Sequence, residues 1–231
     1  MSEQLALDLP VRTARGREAF FVSPSNATAL ALIDRWPRWP GGRLALTGPE
    51  GAGKTHLAHV WAERSGAHFV RADGLAGEDP FELGAGATVV EDVDGGAFGP
   101  EAEPALFHLL NAQAERGGHL LLTGRMPPAR WPVALPDLAS RLGAVTPARI
   151  DAPDDALMAA LLVKHFADRQ LRVSPTLVSW LLPRIERSAA AAAAAVERLD
   201  REALARGMPP GPGLARLLFA SPALDSPEAG A

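Results

Sequence analysis

The chain has 231 residues, enough for one substantial core, or for one core and a small satellite domain. Its formal charge of −4 gives no footing for a direct, sequence-specific grip on DNA, and a chain without cysteine holds neither disulfides nor thiolate metal sites. No apolar run is long enough to span a bilayer and the N-terminus lacks the layout of a signal peptide, so a cytoplasmic protein without membrane attachment is expected.

In residues 1–17, Leu5, Leu7 and Leu9 alternate behind Gln4 and stop at Pro10, ahead of an arginine-rich stretch. Such alternation fits an extended edge strand. It also fits a peptide docking in a partner's groove, with the glutamine and leucines as anchors. On spacing alone the edge strand is preferred.

From Glu18 to Ile150 strands alternate with helices, the pattern of an α/β domain with a parallel sheet flanked by helices. An apolar opening segment, Phe20 to Asn26, leads into a helix over 27–35 and a Pro/Gly loop over 36–42. A short apolar strand over 43–47 then meets Gly48, Pro49, Glu50, Gly51, Ala52, Gly53, Lys54 and Thr55, and a helix opens at His56. Two glycines with four residues between them, followed by lysine and a hydroxyl residue, form a phosphate-binding loop when set between strand and helix. The loop's N–H groups and the helix N-terminus converge on phosphate oxygens. Gly51 and Gly53 permit close approach, Lys54 reaches the terminal phosphates, and Thr55 holds Mg²⁺ through its hydroxyl. A bound nucleotide, ADP or ATP, with Mg²⁺ is expected. His56 and His59 share a helix face but lack a third ligand, so they read as surface or packing residues and not as a metal site.

A second strand covers 68–72, and Ala87 to Asp94 is an apolar strand ending in carboxylates. Behind a phosphate-binding loop, Glu91 and Asp92 there suit Mg²⁺ binding and water activation; many such ATPases carry the two acids in the reverse order. A helix over 103–114 precedes a strand over 118–123. Thr123 would stand at the sheet's C-terminal edge, where a hydroxyl can touch a γ-phosphate or the attacking water, although threonine is common at strand ends. Leu135 to Leu142 is a short helix carrying Arg141, by itself a solvated charge. From Asp151 the strands stop. Helices over 154–169, 174–185 and 187–206, the last with alanines 189–195, suggest a small helical domain over 151–220. A short element follows at 213–220, and 221–231 read as disordered.

This order of motifs resembles an AAA+ ATPase, and more narrowly the DnaA-related AAA+ family named for the bacterial replication initiator. Residues 20–29 (FFVSPSNATA) are similar to that family's segment beside the adenine, which implies that Val22 and Asn26 line the nucleotide. Residues 135–142 (LPDLASRL) look like the box carrying the family's arginine finger, which falls on Arg141. The resemblance spans residues 4–9 and 18–220, makes the helical domain a lid, and carries over Lys54, Thr55, Glu91 and Asp92 in the roles above. Gln4 to Leu9 (QLALDL) resembles the peptide by which regulators of this family bind the sliding clamp, the beta subunit of DNA polymerase III, and this overturns the edge-strand preference. The chain also stops soon after the lid, where an initiator would continue into a helix-turn-helix domain.

The implied activity is regulatory: clamp-tethered and holding nucleotide, the protein offers Arg141 to the ATP site of DnaA and leaves the initiator ADP-bound and inactive. The rivals are a motor or loader hydrolysing its own ATP, and a structural adaptor. Two departures stand out. The family places an acidic sensor residue where this chain reads Thr123-Gly124-Arg125, and the lid arginine expected in the third lid helix falls at Ala190, with Arg187 one turn earlier. Both argue against efficient hydrolysis of the chain's own ATP and against discrimination between ATP and ADP. The active nucleotide state and self-association into a homodimer are left open.

Overall fold

The computed structural model describes residues 21–95 and 98–219, so the segment Gln4 to Leu9 and the tail from 221 lie outside the described residues. The chain divides into two compact units, one ending at Asp154 and the other beginning at Asp155.

Five strands build the first unit: β1 (Arg43–Thr47), β2 (His68–Arg71), β3 (Ala87–Glu91), β4 (His119–Gly124) and β5 (Thr146–Arg149). All pairings are parallel, in the spatial order β2-β3-β4-β1-β5. Parallel strands require crossovers, and these are α2 (Lys54–Ser65), α3 (Pro80–Ala85), α4 (Ala102–Arg116) and α5 (Pro136–Gly143), with α1 (Ala27–Ile33) ahead of the sheet. Alternation along the strands sorts the core into two layers. Leu44, Leu46, Val89, Leu121 and Ala148 face α1 and α2, which contribute Ala29, Leu30, Leu57 and Trp61. Ala45, Val90, Leu120 and Leu122 face the other way, against Leu106, Leu109 and Leu110 of α4 and Leu138 and Leu142 of α5. Burial on both faces explains why the strands read as continuous apolar runs.

Strand β5 was the hardest to foresee, because Pro147 sits inside it. A proline cannot donate to a ladder and is tolerated at a sheet edge; β5 pairs on one side only, with β1. The strand expected over 87–94 ends at Glu91, so Asp92 and Asp94 belong to the loop beyond it. Because β4 lies between β3 and β1, the tips of β3 and β4 stand beside the loop that follows β1. That is the point where strand order reverses, the usual ligand crevice of open α/β sheets.

The second unit is helical: α6 (Asp155–Asp168), α7 (Pro175–Leu181), α8 (Ala189–Arg206) and α9 (Pro212–Phe219). Two of its helices start on serine caps. Ser174 accepts from the Leu177 N–H at 3.2 Å, and Ser188 from the Ala191 N–H at 3.0 Å. Met158, Leu162, Phe166, Leu177, Leu181, Val196, Leu199 and Leu214 form its core. The helix expected through Ile185 gives way after Leu181 to a tighter turn over Leu182–Arg184, around Pro183.

Candidate nucleotide site

The loop from Gly48 to Gly53 joins β1 to α2 with three glycines at positive φ: +153° at Gly48, +72° at Gly51 and +99° at Gly53. Gly48 is also sterically required, since a β-carbon there would lie 2.1 Å from the Ile150 carbonyl oxygen. No side chain caps α2, so its first N–H groups are left to the loop's interior. Lys54 is buried, and its Nζ donates to the carbonyls of Gly48 and Pro49, both at 2.9 Å. Burial pushes its pKa below the ordinary lysine value; the carboxylates of Asp92 and Asp94 oppose the shift, and the Arg125 charge adds to it. Thr55 and His56 are exposed at the start of the helix.

Of the expected acidic pair, Asp92 is the member whose charge acts on Lys54. It sits at φ +56°, with its N–H donated to Oγ1 of buried Thr123 at 3.1 Å. The Thr123 hydroxyl therefore fixes the backbone of Asp92. Glu91 carries one buried carboxylate oxygen, Oε1, without a hydrogen-bond partner, which suits a site completed by a cation and its water. A cavity of about 200 Å³ opens between Arg71, Glu91, Asp92, Asp94 and Arg125. The sequence assigned no role to three of these residues, Arg71, Asp94 and Arg125. Asp94 accepts from the Arg125 N–H at 2.7 and 2.8 Å and from the Met126 N–H at 2.7 Å, which ties the β3 loop to the β4 loop. Arg125 then reaches back to Glu50 of the phosphate-binding loop at 3.0 Å. The signal for Asp94 was its place two residues beyond Asp92, in a loop that the sequence read as strand.

Near α1, Val22 is exposed, whereas Asn26 is buried in a local turn: its Oδ1 accepts from Ser23 N–H at 3.0 Å and its Nδ2 donates to the Phe21 carbonyl at 3.0 Å. Asn26 shapes the segment. Arg141 lies in the last turn of α5, half-buried, with its guanidinium 5.0 Å from the centroid of the Phe107 ring. The helix is anchored by buried Glu103, whose carboxylate accepts from the N–H groups of Ala134 at 2.9 Å and Leu135 at 3.0 Å. Burial, and then the charge of Arg141, lower the pKa of Arg43. Arg43 opens β1, so Arg141 stands near the N-terminal end of the strand whose other end carries Lys54's loop. In the helical unit Ala190 is in α8, and Arg187 pairs with Asp155 at 2.6 Å.

The site thus offers uncapped helix N–H groups, a buried ammonium, an exposed hydroxyl and a wall of carboxylates, a donor set that fits a Mg²⁺-bound polyphosphate. Lys54 and the loop N–H groups would hold phosphate; Thr55, Glu91 and Asp92 would hold the metal and its waters.

A parallel sheet of this strand order, covered by helices on both faces and carrying a glycine-rich loop after β1, is the architecture of the AAA+ fold. No protein-family model matches the chain, but solved structures share its fold. Domain III of the Thermotoga maritima replication initiation protein DnaA superposes with a TM-score of 0.72 at 18% identity, over 92% of this chain and 98% of that one. A DNA replication initiation factor gives 0.70 at 16% identity, over 82% of this chain and 66% of its own length. AMPPCP-bound DnaA from Aquifex aeolicus gives 0.65 at 15%, over 82% of this chain and 69% of that one. The fold is that of DnaA domain III. Among the described residues no helix is long and apolar enough to cross a membrane.

Proposed function

We propose that this protein is a nucleotide-binding regulator of replication initiation, similar to Hda, the regulatory inactivator of DnaA. Holding ADP or ATP, and tethered to the sliding clamp through Gln4, Leu5, Leu7 and Leu9, it stimulates hydrolysis of ATP held by DnaA. The observation that carries the regulatory reading is the place of Arg141. Arg43 and Thr47 bound a five-residue strand, so the Arg43 end lies roughly 13 Å from the start of the chain's own phosphate-binding loop at about 3.3 Å per residue. An arginine beside that far end is poorly placed to serve its own nucleotide and well placed to serve a neighbour's. The Phe107 ring and the Glu103-anchored helix hold it in a defined position, so little reorganisation is needed when charge develops on a transferring phosphoryl group.

On the chain's own side, bound Mg²⁺ would supply charge neutralisation at the phosphates. Lys54 gives up two carbonyls to bind phosphate oxygens, and Thr123 holds the backbone of Asp92 in place. The motor reading requires a site built for rapid turnover, whereas Ala190 removes the lid arginine expected for it.

The test is single-turnover hydrolysis of ATP preloaded on DnaA, with clamp loaded on DNA. Arg141→Ala should bind nucleotide and clamp as wild type does, yet lose most of the stimulation, in a family of effects worth about 10³- to 10⁵-fold. Arg141→Lys should rescue poorly, because an ammonium lacks the planar fork of donors. Undiminished stimulation by Arg141→Ala would overturn the assignment.

A further inference from the structure

We infer that Glu50 and Arg125 form a latch across the phosphate-binding loop, and that Arg125 exchanges Glu50 for the terminal phosphate of a nucleoside triphosphate. The inference rests on the nucleotide reading above and adds to it a means of telling ATP from ADP.

Three observations converge. The first is the contact itself, a 3.0 Å ion pair from the Arg125 Nη2 to the Glu50 Oε2 that joins the β4 loop to the phosphate-binding loop. Both side chains are largely exposed, 63% for Arg125 and 81% for Glu50. An exposed pair is held weakly and is readily exchanged, and a phosphate offers guanidinium a bidentate, more highly charged partner. The second is the way Arg125 is mounted. Its own N–H and that of Met126 are clamped by the Asp94 carboxylate, and behind it Trp131 Nε1 donates to the Met126 carbonyl at 2.7 Å. Gly124 leaves room for that indole, since a β-carbon there would lie 2.8 Å from it. The backbone of Arg125 is thus fixed while its side chain is largely exposed. Third, Arg125 shares a field with the groups that would meet the terminal phosphate. Its charge acts on Lys54 together with those of Asp92 and Asp94, and it lines the same cavity as Glu91 and Asp92.

ADP ends one phosphate short, so Arg125 stays on Glu50; a triphosphate reaches it and opens the latch. The chain can thereby read the terminal phosphate from the sheet side, although residue 190 is alanine. Glu50 sets the threshold, because its carboxylate competes with the incoming phosphate for the guanidinium.

The experiment is equilibrium binding of ADP and of the non-hydrolysable analogue AMPPCP, each with Mg²⁺, to the full chain. Arg125→Ala should weaken AMPPCP about tenfold and leave ADP within about twofold. Glu50→Gln should tighten AMPPCP several-fold. In the Arg125→Ala background that gain should vanish, because the two residues act as one unit. Equal losses for both nucleotides, no loss for either, or a Glu50→Gln gain that persists without Arg125 would each overturn the latch. Lys54→Ala separates this from the underlying reading: if that variant binds both nucleotides like wild type, the phosphate-binding assignment itself falls. If it binds neither while Arg125→Ala discriminates normally, only the latch does.

Discussion

The two ends of the central sheet handle charge in opposite ways. At the N-terminal end Arg43 donates to the Gln113 side chain and to the Leu110 carbonyl at 2.7 Å, and Gln113 Nε2 donates to the carbonyls of Gly118 at 2.6 Å and Gly41 at 3.1 Å. Gln113 is buried, and glycines close the surroundings: a β-carbon on Gly118 would lie 2.3 Å from the Gly84 carbonyl oxygen. A cation there is held by neutral acceptors in fixed places. At the C-terminal end charged side chains pair at the surface, Arg125 with Glu50 at 3.0 Å and Arg71 with Asp92 at 3.6 Å, and Lys54 rests on two loop carbonyls whose place a phosphate can take. A closed network gives rigidity to the fold, and an open one can trade a protein partner for a ligand. The proposed nucleotide site uses the open end; Arg141 is the exception, a half-buried cation at the closed end whose proposed partner lies on another molecule.

The largest expected effect that tests this contrast is at Lys54. Lys54→Ala removes the ammonium from the open end, and the loss of charge-assisted phosphate contacts should weaken labelled ADP by roughly 100-fold. The far-UV circular dichroism should not change, because the carbonyls of Gly48 and Pro49 border a ligand crevice and can be met by water. A variant that unfolds would place Lys54 among the structural charges and erase the contrast.

Next in size is Gln113→Ala. It leaves Arg43 without its side-chain acceptor and two glycine carbonyls without their donor, which should destabilise the α/β unit by about 3 kcal/mol in urea unfolding. Well below the transition, nucleotide binding should be within about twofold of wild type. A loss of binding without a loss of stability would show that the closed end communicates with the site.

The unequal legibility of the two ends has a physical cause. The phosphate-binding loop could be read directly, because Gly48, Gly51, Gly53, Lys54 and Thr55 must follow one another in the chain for the loop to work. The sheet itself was legible for a similar reason, since strands buried on both faces read as apolar runs. Arg125 and Asp94 meet only after β3 and β4 become neighbours, and their partners are 75 and 31 residues away, Glu50 for one and the Arg125 N–H for the other. Gln113 is another such residue; it reads as an ordinary polar position on α4 until the fold brings Arg43, Gly41 and Gly118 around it. Thr123 was placed correctly at a strand tip, but its hydroxyl is directed to the Asp92 amide, a contact that no spacing rule encodes. For Asn26 the motif named the segment, and local turn geometry decided what its side chain does.

The smallest expected effect concerns backbone strain, which also differs between the ends. Asp92 holds φ +56° at the open end, a conformation that costs a residue with a β-carbon roughly 1 kcal/mol or more. Aspartate tolerates it better than most, and strained residues concentrate where their side chains are used. Asp92→Gly and Asp92→Ala both delete the carboxylate and the 3.6 Å pair with Arg71, while the Asp92 N–H to Thr123 is retained. The two variants therefore differ only in the β-carbon at positive φ. The glycine variant should be the more stable by about 1 kcal/mol, and both should weaken Mg²⁺-nucleotide equally, because the carboxylate is what the site uses. At the closed end the same exchange is harsher. Gly42, at φ +70°, would bring a β-carbon within 2.6 Å of the Gln113 amide and 2.8 Å of the Gly118 carbonyl, so Gly42→Ala adds collision to strain. Its cost should exceed the glycine–alanine difference at Asp92. Equal costs at the two positions would mean that the N-terminal end yields as easily as the site does, and the division between a closed and an open edge would not hold.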